Sequence, residues 1–103
     1  MSVAIFSKVI NDYADTFTDT ISTSVVAATN DTIILVAHFR AGQAVSVAPA
    51  WNGQTLTQLG TTVTTSFQKL AVYSVIASSS ATANLTATFD NNTILNTEIM
   101  VLR

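Results

Sequence analysis

Thr82-Ala83-Asn84-Leu85-Thr86-Ala87-Thr88-Phe89 sets apolar side chains at every second position between hydroxyl and amide groups. Successive residues of a strand face opposite sides, so this period of two predicts a half-exposed β-strand with Ala83, Leu85, Ala87 and Phe89 turned inward. The flanks read the same way. Asp90-Asn91-Asn92 turns the chain, and Ile94 to Leu102 forms a last strand. Upstream, Ser78-Ser79-Ser80 is a loop, and Phe67 to Ala77 is a long strand with Phe67, Ala71, Tyr73 and Val75 on one face.

Further back lies Trp51-Asn52-Gly53-Gln54. Asn-Gly between extended runs favours a type I′ hairpin, because both central residues tolerate positive φ. Ala44 to Val47 leads towards it, and Pro49, which lacks a backbone donor, belongs at a strand end or edge. Gln54 to Leu59 returns from the turn with Leu56 inward, and Gly60 closes that strand. Thr61 to Ser66 reads either as a further strand or as an exposed Thr-rich loop. Thr32 to Arg40 is the strongest strand before the hairpin, and its apolar start predicts burial on both faces. Asn30-Asp31 turns the chain ahead of it, after a Thr-, Ser- and Val-rich strand from Thr20 to Ala28.

These readings give seven to eight short strands, hence an all-β chain: a single antiparallel β-sandwich, jelly-roll-like, over residues 16–103. Residues 1–15 are expected to form a short N-terminal arm. Between Ser7 and Thr20, Ile10, Tyr13, Ala14 and Phe17 could line one helical face, but Thr and Asp are poor in helix interiors. This segment reads as an irregular arm with room for one helical turn.

Composition narrows the function classes. The 103 residues carry 10% charged side chains, against about 25% in an ordinary soluble domain. No apolar run approaches the roughly 18 residues of a membrane span. With no cysteine, disulfides and Cys-ligated metal centres are excluded. Four scattered basic residues and a net charge of −2 argue against a nucleic-acid footprint. The opening ten residues lack the pattern of a secretory signal.

Val45-Ser46-Val47-Ala48-Pro49-Ala50-Trp51-Asn52-Gly53-Gln54-Thr55-Leu56-Thr57-Gln58-Leu59-Gly60 resembles a module of phage virion and bacterial surface proteins. In that module an extended run leads into Trp-Asn-Gly-x-x-Leu-Thr-x-x-Gly. A later strand carries Tyr before Val, here Val72-Tyr73-Ser74-Val75, and a Ser/Ala/Thr-rich turn leads into alternating Thr and apolar residues. The likeness runs from about Thr16 to Arg103. It implies a small jelly-roll-like sandwich whose structural motif is Trp51, Asn52, Gly53, Leu56, Gly60 and Tyr73, with no chemistry attached to those residues.

Nothing in the sequence points to catalysis. His38 is the lone histidine, on a strand expected to be largely buried, and reads as a packed or hydrogen-bonded residue. There is no Gly-x-Ser-x-Gly elbow, P-loop or dinucleotide glycine pattern. Asp12, Asp15 and Asp19, with Asp31 and Asp90 in loops, read as solvated acids; any calcium would be sought there. Trp51, Tyr73 and Phe67 could form a sugar-stacking platform, though Trp51 is more naturally a packing anchor for its hairpin. The chain is therefore expected to be no enzyme, with no catalytic, cofactor or metal residues.

Function then falls to the surface. Edge strands invite pairing unless Lys, Pro or bulges blunt them, and this chain has two Lys and one Pro. A charge-poor surface suits burial against other subunits. Val3, Ile5, Phe6, Val9 and Ile10 crowd the first ten residues and are expected to pack on this sandwich or on a neighbour's, as an assembly interface, with strand addition one route. The reading is a non-enzymatic virion structural protein, foremost a phage capsid decoration (cement) protein. It would be made in the host cytoplasm and carried on the virion. Its partners would be sister subunits in a homo-oligomer and the major capsid protein or another virion protein, with no nucleic acid or membrane. The alternatives are a glycan- or receptor-binding module of a tail fibre or surface protein, and a self-assembling filament or surface-layer subunit.

Overall fold

The computed structural model describes residues 3–12, 19–40, 44–90 and 94–103, with Leu95 described by its backbone alone. Nine strands are found among them: β1 (Ile5–Asp12), β2 (Thr20–Ala27), β3 (Thr32–Arg40), β4 (Val45–Trp51), β5 (Gln54–Thr55), β6 (Thr57–Thr64), β7 (Gln68–Ile76), β8 (Ala81–Phe89) and β9 (Ile94–Leu102). They form two antiparallel sheets, one ordered β1-β9-β3-β7-β6 and the other β2-β8-β4-β5. Apart from β4–β5 and β6–β7, each strand is followed by one in the opposite sheet. That winding is a jelly roll with β6 added at one edge, as a β-sandwich of this type requires.

Period two explains the layers. In β3 Ile33, Leu35, Ala37 and Phe39 are buried while Thr32, Ile34, Val36 and His38 are half-buried. β3 is thus covered on its inner face only, not on both. Leu85, Ala87 and Phe89 of β8 oppose this layer from the second sheet, with Ala83 partly buried beside them, as the alternation of that strand predicts. The Phe39 and Phe89 rings meet across the sandwich, centroids 4.8 Å apart and tilted by 58°, a geometry that suits the ring quadrupoles.

The N-terminal segment differs from the arm expected of it. Residues 5–12 form a regular edge strand that pairs antiparallel with β9 from Ser7↔Val101 to Asp12↔Asn96, after a bulge between Ile5 and Ser7. Most of its side chains stay exposed, so no burial pattern in the sequence favours a strand over a helical turn; the free edge of β9 decides it. Backbone pairing with β9 attaches this segment to its own sandwich, while the side chains of Val3, Ile5, Phe6, Val9 and Ile10 stay exposed.

Two further boundaries move. The stretch from Gln54 to Leu59 is not one strand: β5 belongs to one sheet and β6 to the other, and the buried Leu56 is where the chain crosses between them. Gly60 does not close a strand. It lies inside β6 with φ of 67°, where the pairing with β7 shifts between Leu59 and Val63, so it serves a bulge. Pro49 also sits at an irregularity, between Val47 and Ala50 of β4, where a missing N–H costs no ladder bond.

One buried polar group stands out. Thr97 of β9 is fully buried, and its Oγ1 has no hydrogen-bond partner among the described residues. Replacing the hydroxyl with a methyl of like shape removes an uncompensated desolvation penalty. Thr97→Val is expected to raise stability by about 1 kcal/mol in urea titrations; a loss of stability would show that the hydroxyl is satisfied in solution.

The turn before β3 is clamped. Asn30 has φ of 73°, and the Asp31 carboxylate accepts the Ala28 N–H at 2.8 Å and a forked pair of bonds from Arg103 Nε and Nη2 at 3.0 and 2.8 Å. The Arg103 guanidinium in turn lies 3.7 Å from the centre of the Phe6 ring. The bonds from Arg103 and then from Ala28 hold the Asp31 pKa below its ordinary 3.8. A depressed carboxyl contributes stability that is fully present above its unfolded value and lost as pH falls through the folded one. Asp31→Asn is therefore expected to melt below wild type at pH 7, with the gap narrowing as pH drops beneath 3.8. A gap that persists unchanged to about pH 2 in thermal scans would overturn this.

Candidate assembly face

Register turns the scattered apolar residues of the first sheet into a surface. Val36 of β3 lies between Glu98 of β9 and Val72 of β7, Glu98 pairs with Ile10 of β1, and Val72 pairs with Leu59 of β6. One row of side chains therefore crosses all five strands: Ile10, Glu98, Val36, Val72, Leu59. Alternation puts this row on the outer face, opposite the buried Leu35, Ala37 and Ala71. The next row towards the start of β3 places Lys8, Met100, Ile34 and Ser74 side by side. On the other flank Asn96, His38, Leu70 and Val63 follow one another. Ile10, Leu59 and Val63 are about half exposed or more, at 64, 49 and 60%.

By the same alternation this face also carries Lys8, Asp12, Glu98 and Arg40. Lys8 Nζ lies 3.2 Å from Glu98 Oε1, an exposed cross-strand pair of small energetic weight. His38 is held between two amides. Its Nε2 is 2.8 Å from Gln68 Oε1, which can only accept, so the ring proton lies on Nε2 and Nδ1 accepts from Asn96 Nδ2 at 3.1 Å. His38 is thus half-buried and hydrogen-bonded at both ring nitrogens, on a strand covered along its inner face only. Beside it the strand ends leave a shallow hollow of about 280 Å³ lined by Val63, Leu70 and Gln68.

The outer face of the second sheet has different chemistry. Thr20, Ser22 and Ser24 of β2 stand directly opposite Thr88, Thr86 and Asn84 of β8. Asn84 Nδ2 donates to Ser22 Oγ at 3.0 Å, so this face satisfies part of its polarity internally. This face is richer in hydroxyl and amide groups than that of the first sheet, with Val26 and Val47 the exposed aliphatic residues among them.

The Trp-Asn-Gly motif is internal scaffolding. Asn52 and Gly53 have φ of 48° and 75°, the pair of positive values a type I′ turn needs, and they join Trp51 to Gln54. Trp51 is fully buried, and its Nε1 donates to the Val25 carbonyl at 3.1 Å, tying the hairpin to β2. Leu56 N–H donates to the Pro49 carbonyl at 2.8 Å, and the Gln54 side chain donates to Ile76 O and accepts from Ser78 N–H. Tyr73 is 7% exposed, and burial pushes its phenol above the ordinary value.

The sugar-stacking platform is therefore corrected. Trp51 and Tyr73 lie in the core and cannot offer a ring face. Phe67, expected to share the inner face of its strand, precedes β7 in a bend and is 82% exposed. The acids are also dispersed. Asp31 faces Arg103, Asp90 Oδ1 accepts the Ala44 N–H at 2.6 Å, Asp19 accepts from Thr20 Oγ1, and Asp12 ends β1; Asp15 lies outside the described residues. Among the described residues no three His, Asp or Glu gather as a metal set would.

Of the expected interface residues, Val3, Ile5, Phe6, Val9 and Ile10 are all substantially exposed, and four of them belong to β1. Register places only Ile10 of them on the face of Val36, Val72, Leu59 and Val63. Val9 pairs with the buried Ile99 and faces the inner side, where it lines a hollow with Phe6 and Val25, so the expected set does not form one surface. No protein family, curated protein or solved structure shows a significant match to this chain.

Proposed function

We propose that this chain is a non-enzymatic structural subunit of a viral particle, a decoration protein that docks on the capsid through the outer face of its five-stranded sheet. The observation that carries the reading is the row Ile10, Glu98, Val36, Val72 and Leu59 with its aliphatic neighbours, in which branched side chains are exposed or half-buried across the width of a sheet and the one acid is paired with Lys8. Apolar side chains grouped on one exposed sheet face suit burial against another protein. The resemblance of the Trp-Asn-Gly hairpin to virion modules, and the jelly-roll winding common in capsid domains, agree with it.

The face is suited to a rigid docking mode. It lies on regular strands whose inner sides are locked into the core, so little ordering entropy opposes association. The hydroxyl–amide face of the second sheet would remain turned to water. Mass spectrometry and immunogold labelling of particles purified from cultures producing the chain test this reading. Many copies per particle, on the outer surface of the head, are expected. Confinement of the chain to the particle-free fraction would overturn it.

A further inference from the structure

The two sheets differ in width, and the difference leaves a strand-sized gap on one flank of the sandwich. β9 packs against β2, the last strand of the second sheet, so β1 lies one strand further out and overhangs that sheet's edge. Burial shows the overhang. Ile99 of β9 is 1% exposed, while Val9, its partner on β1 and turned to the same inner side, is 36% exposed. Asn11 Nδ2 donates to Thr23 Oγ1 at 3.1 Å and closes one end of the seam between β1 and β2. Towards the other end the seam opens into a hollow of about 370 Å³. Phe6, Val9, Val25, Val26 and Ile99 line it from both sheets, and no charged residue does.

The edge beneath that overhang is the least protected of the four. Proteins blunt an edge strand with lysine, proline, a bulge or shortness. β5 has two residues, β6 is bulged around Gly60, and β1 carries Lys8 and the bulge after Ile5. β2 has none of these. It pairs with β8 from Thr20↔Thr88 to Ala27↔Ala81 without a register shift, and its sequence holds no proline and no charge. In an antiparallel strand alternate backbone groups point away from a lone neighbour. The Val25 carbonyl is taken by Trp51 Nε1, and the other outward groups of β2 are bonded to no described residue.

We propose that this slot receives an extended segment of a different polypeptide, which adds to β2 as a further strand of the second sheet and turns uncharged, branched side chains at alternate positions into the hollow under Val9. Main-chain bonds along β2 hold the segment, and the hollow selects its inward side chains, as in other strand additions. The shape of the slot excludes a second copy pairing through β2. That copy would bring its own β9 and β1 into the space that β1 of the first already fills. The remaining edges of this chain are too short, bulged or charged to serve as donor. A single strand with no layer above it fits. The slot lies on the flank of the sandwich, so the inference stands independently of docking through the outer face of the first sheet.

The probe is a capped, fluorophore-labelled peptide, Lys-Thr-Val-Thr-Val-Thr-Lys. Fluorescence anisotropy reads its binding, and hydrogen exchange of the wild-type chain locates it. Saturable binding is expected, with new protection confined to the amides of β2. Two N-methylated versions, one blocked at the threonine nitrogens and one at the valine nitrogens, test the ladder, because each set lines one edge of the extended peptide. One version is expected to bind about tenfold more weakly or worse, and the other close to the unmodified peptide. Exchanging both valines for aspartate is expected to abolish binding. Val9→Asp in the protein is expected to weaken it about tenfold or more. Should Val9→Asp melt early, the two methylated peptides decide alone. No binding, equal affinity of the methylated pair, or protection on β1 or on the outer face instead of β2 would overturn the slot. So would self-association of the wild-type chain that protects β2 without peptide, since a second copy would then be the occupant.

Discussion

Trp51→Ala is expected to lose about 3–5 kcal/mol, a large share of the roughly 5–15 kcal/mol that holds a domain of this size together. Trp51 is the largest of the fully buried side chains, and it is held at the point where the β4–β5 hairpin leans on β2. Truncation removes the indole's transfer free energy and leaves a cavity that the surrounding sheets cannot close, because their backbones are fixed by ladders on either side. It also strips the Val25 carbonyl of its donor. Trp51→Phe separates the two effects, since it keeps most of the ring volume and drops only the N–H. A loss near ~2 kcal/mol is expected for that variant, the penalty of a buried carbonyl left without its partner plus a small void. Urea titrations of both variants check this. Equal losses in the two would assign the whole role to the hydrogen bond. A wild-type midpoint for Trp51→Ala would show that the ring is not in the core at all.

Local pattern carried most of the fold. The period of two in β8 was visible because that strand has one face in a dry core, whereas the apolar run of β3 pointed to burial on both faces and hid that only one is covered. The hairpin at Asn52-Gly53 was visible because only certain residues tolerate its dihedral angles. The errors have a common cause. β1 is an edge strand with little buried surface, so its own sequence carries no alternation, and the ladder of β9 determines its conformation. The crossing at Leu56 is likewise invisible: a strand that changes sheets keeps its extended backbone and its apolar residue inward. Gly60 reads as a stop in the sequence, yet the sheet uses its positive φ to insert extra residues against β7. Phe67 fits the spacing of its neighbours, but the chain bends before β7 begins, and the ring falls outside the layer.

The candidate face was less legible than the core, for a geometric reason. Ile10, Val36, Leu59 and Val72 are far apart in sequence, and each looks like an ordinary strand residue. Their adjacency depends on four pairings between five strands, and a one-residue slip in any of them would move a member to the core side. Low charge signals that some surface is meant to be covered. Register separates this face from the hydroxyl-rich face formed by β2 and β8.

The same geometry makes function separable from stability. Val36 is the central member of the row, half-buried and flanked by Glu98 on one side and Val72 on the other. In Val36→Lys the long stem can lie along its aliphatic neighbours while the ammonium approaches the Glu98 carboxylate across the strand pair. The fold should therefore tolerate it at a cost under about 1 kcal/mol, mostly lost β-propensity and the competition with Lys8 for the same acid. Docking should not tolerate it. At the centre of an interface a second ammonium must shed its water while sharing Glu98 with Lys8, and the charge left uncompensated there costs several kcal/mol. Retention on purified particles is expected to fall by about a hundredfold or more, with the melting temperature almost unchanged. The matched control is Ser24→Lys on the hydroxyl face, which should leave retention near wild type because that side stays in water. Equal losses from both substitutions would mean that either face, or neither, is the docking surface. Retention undiminished by Val36→Lys would remove the aliphatic row from the interface and with it the physical basis of the capsid reading.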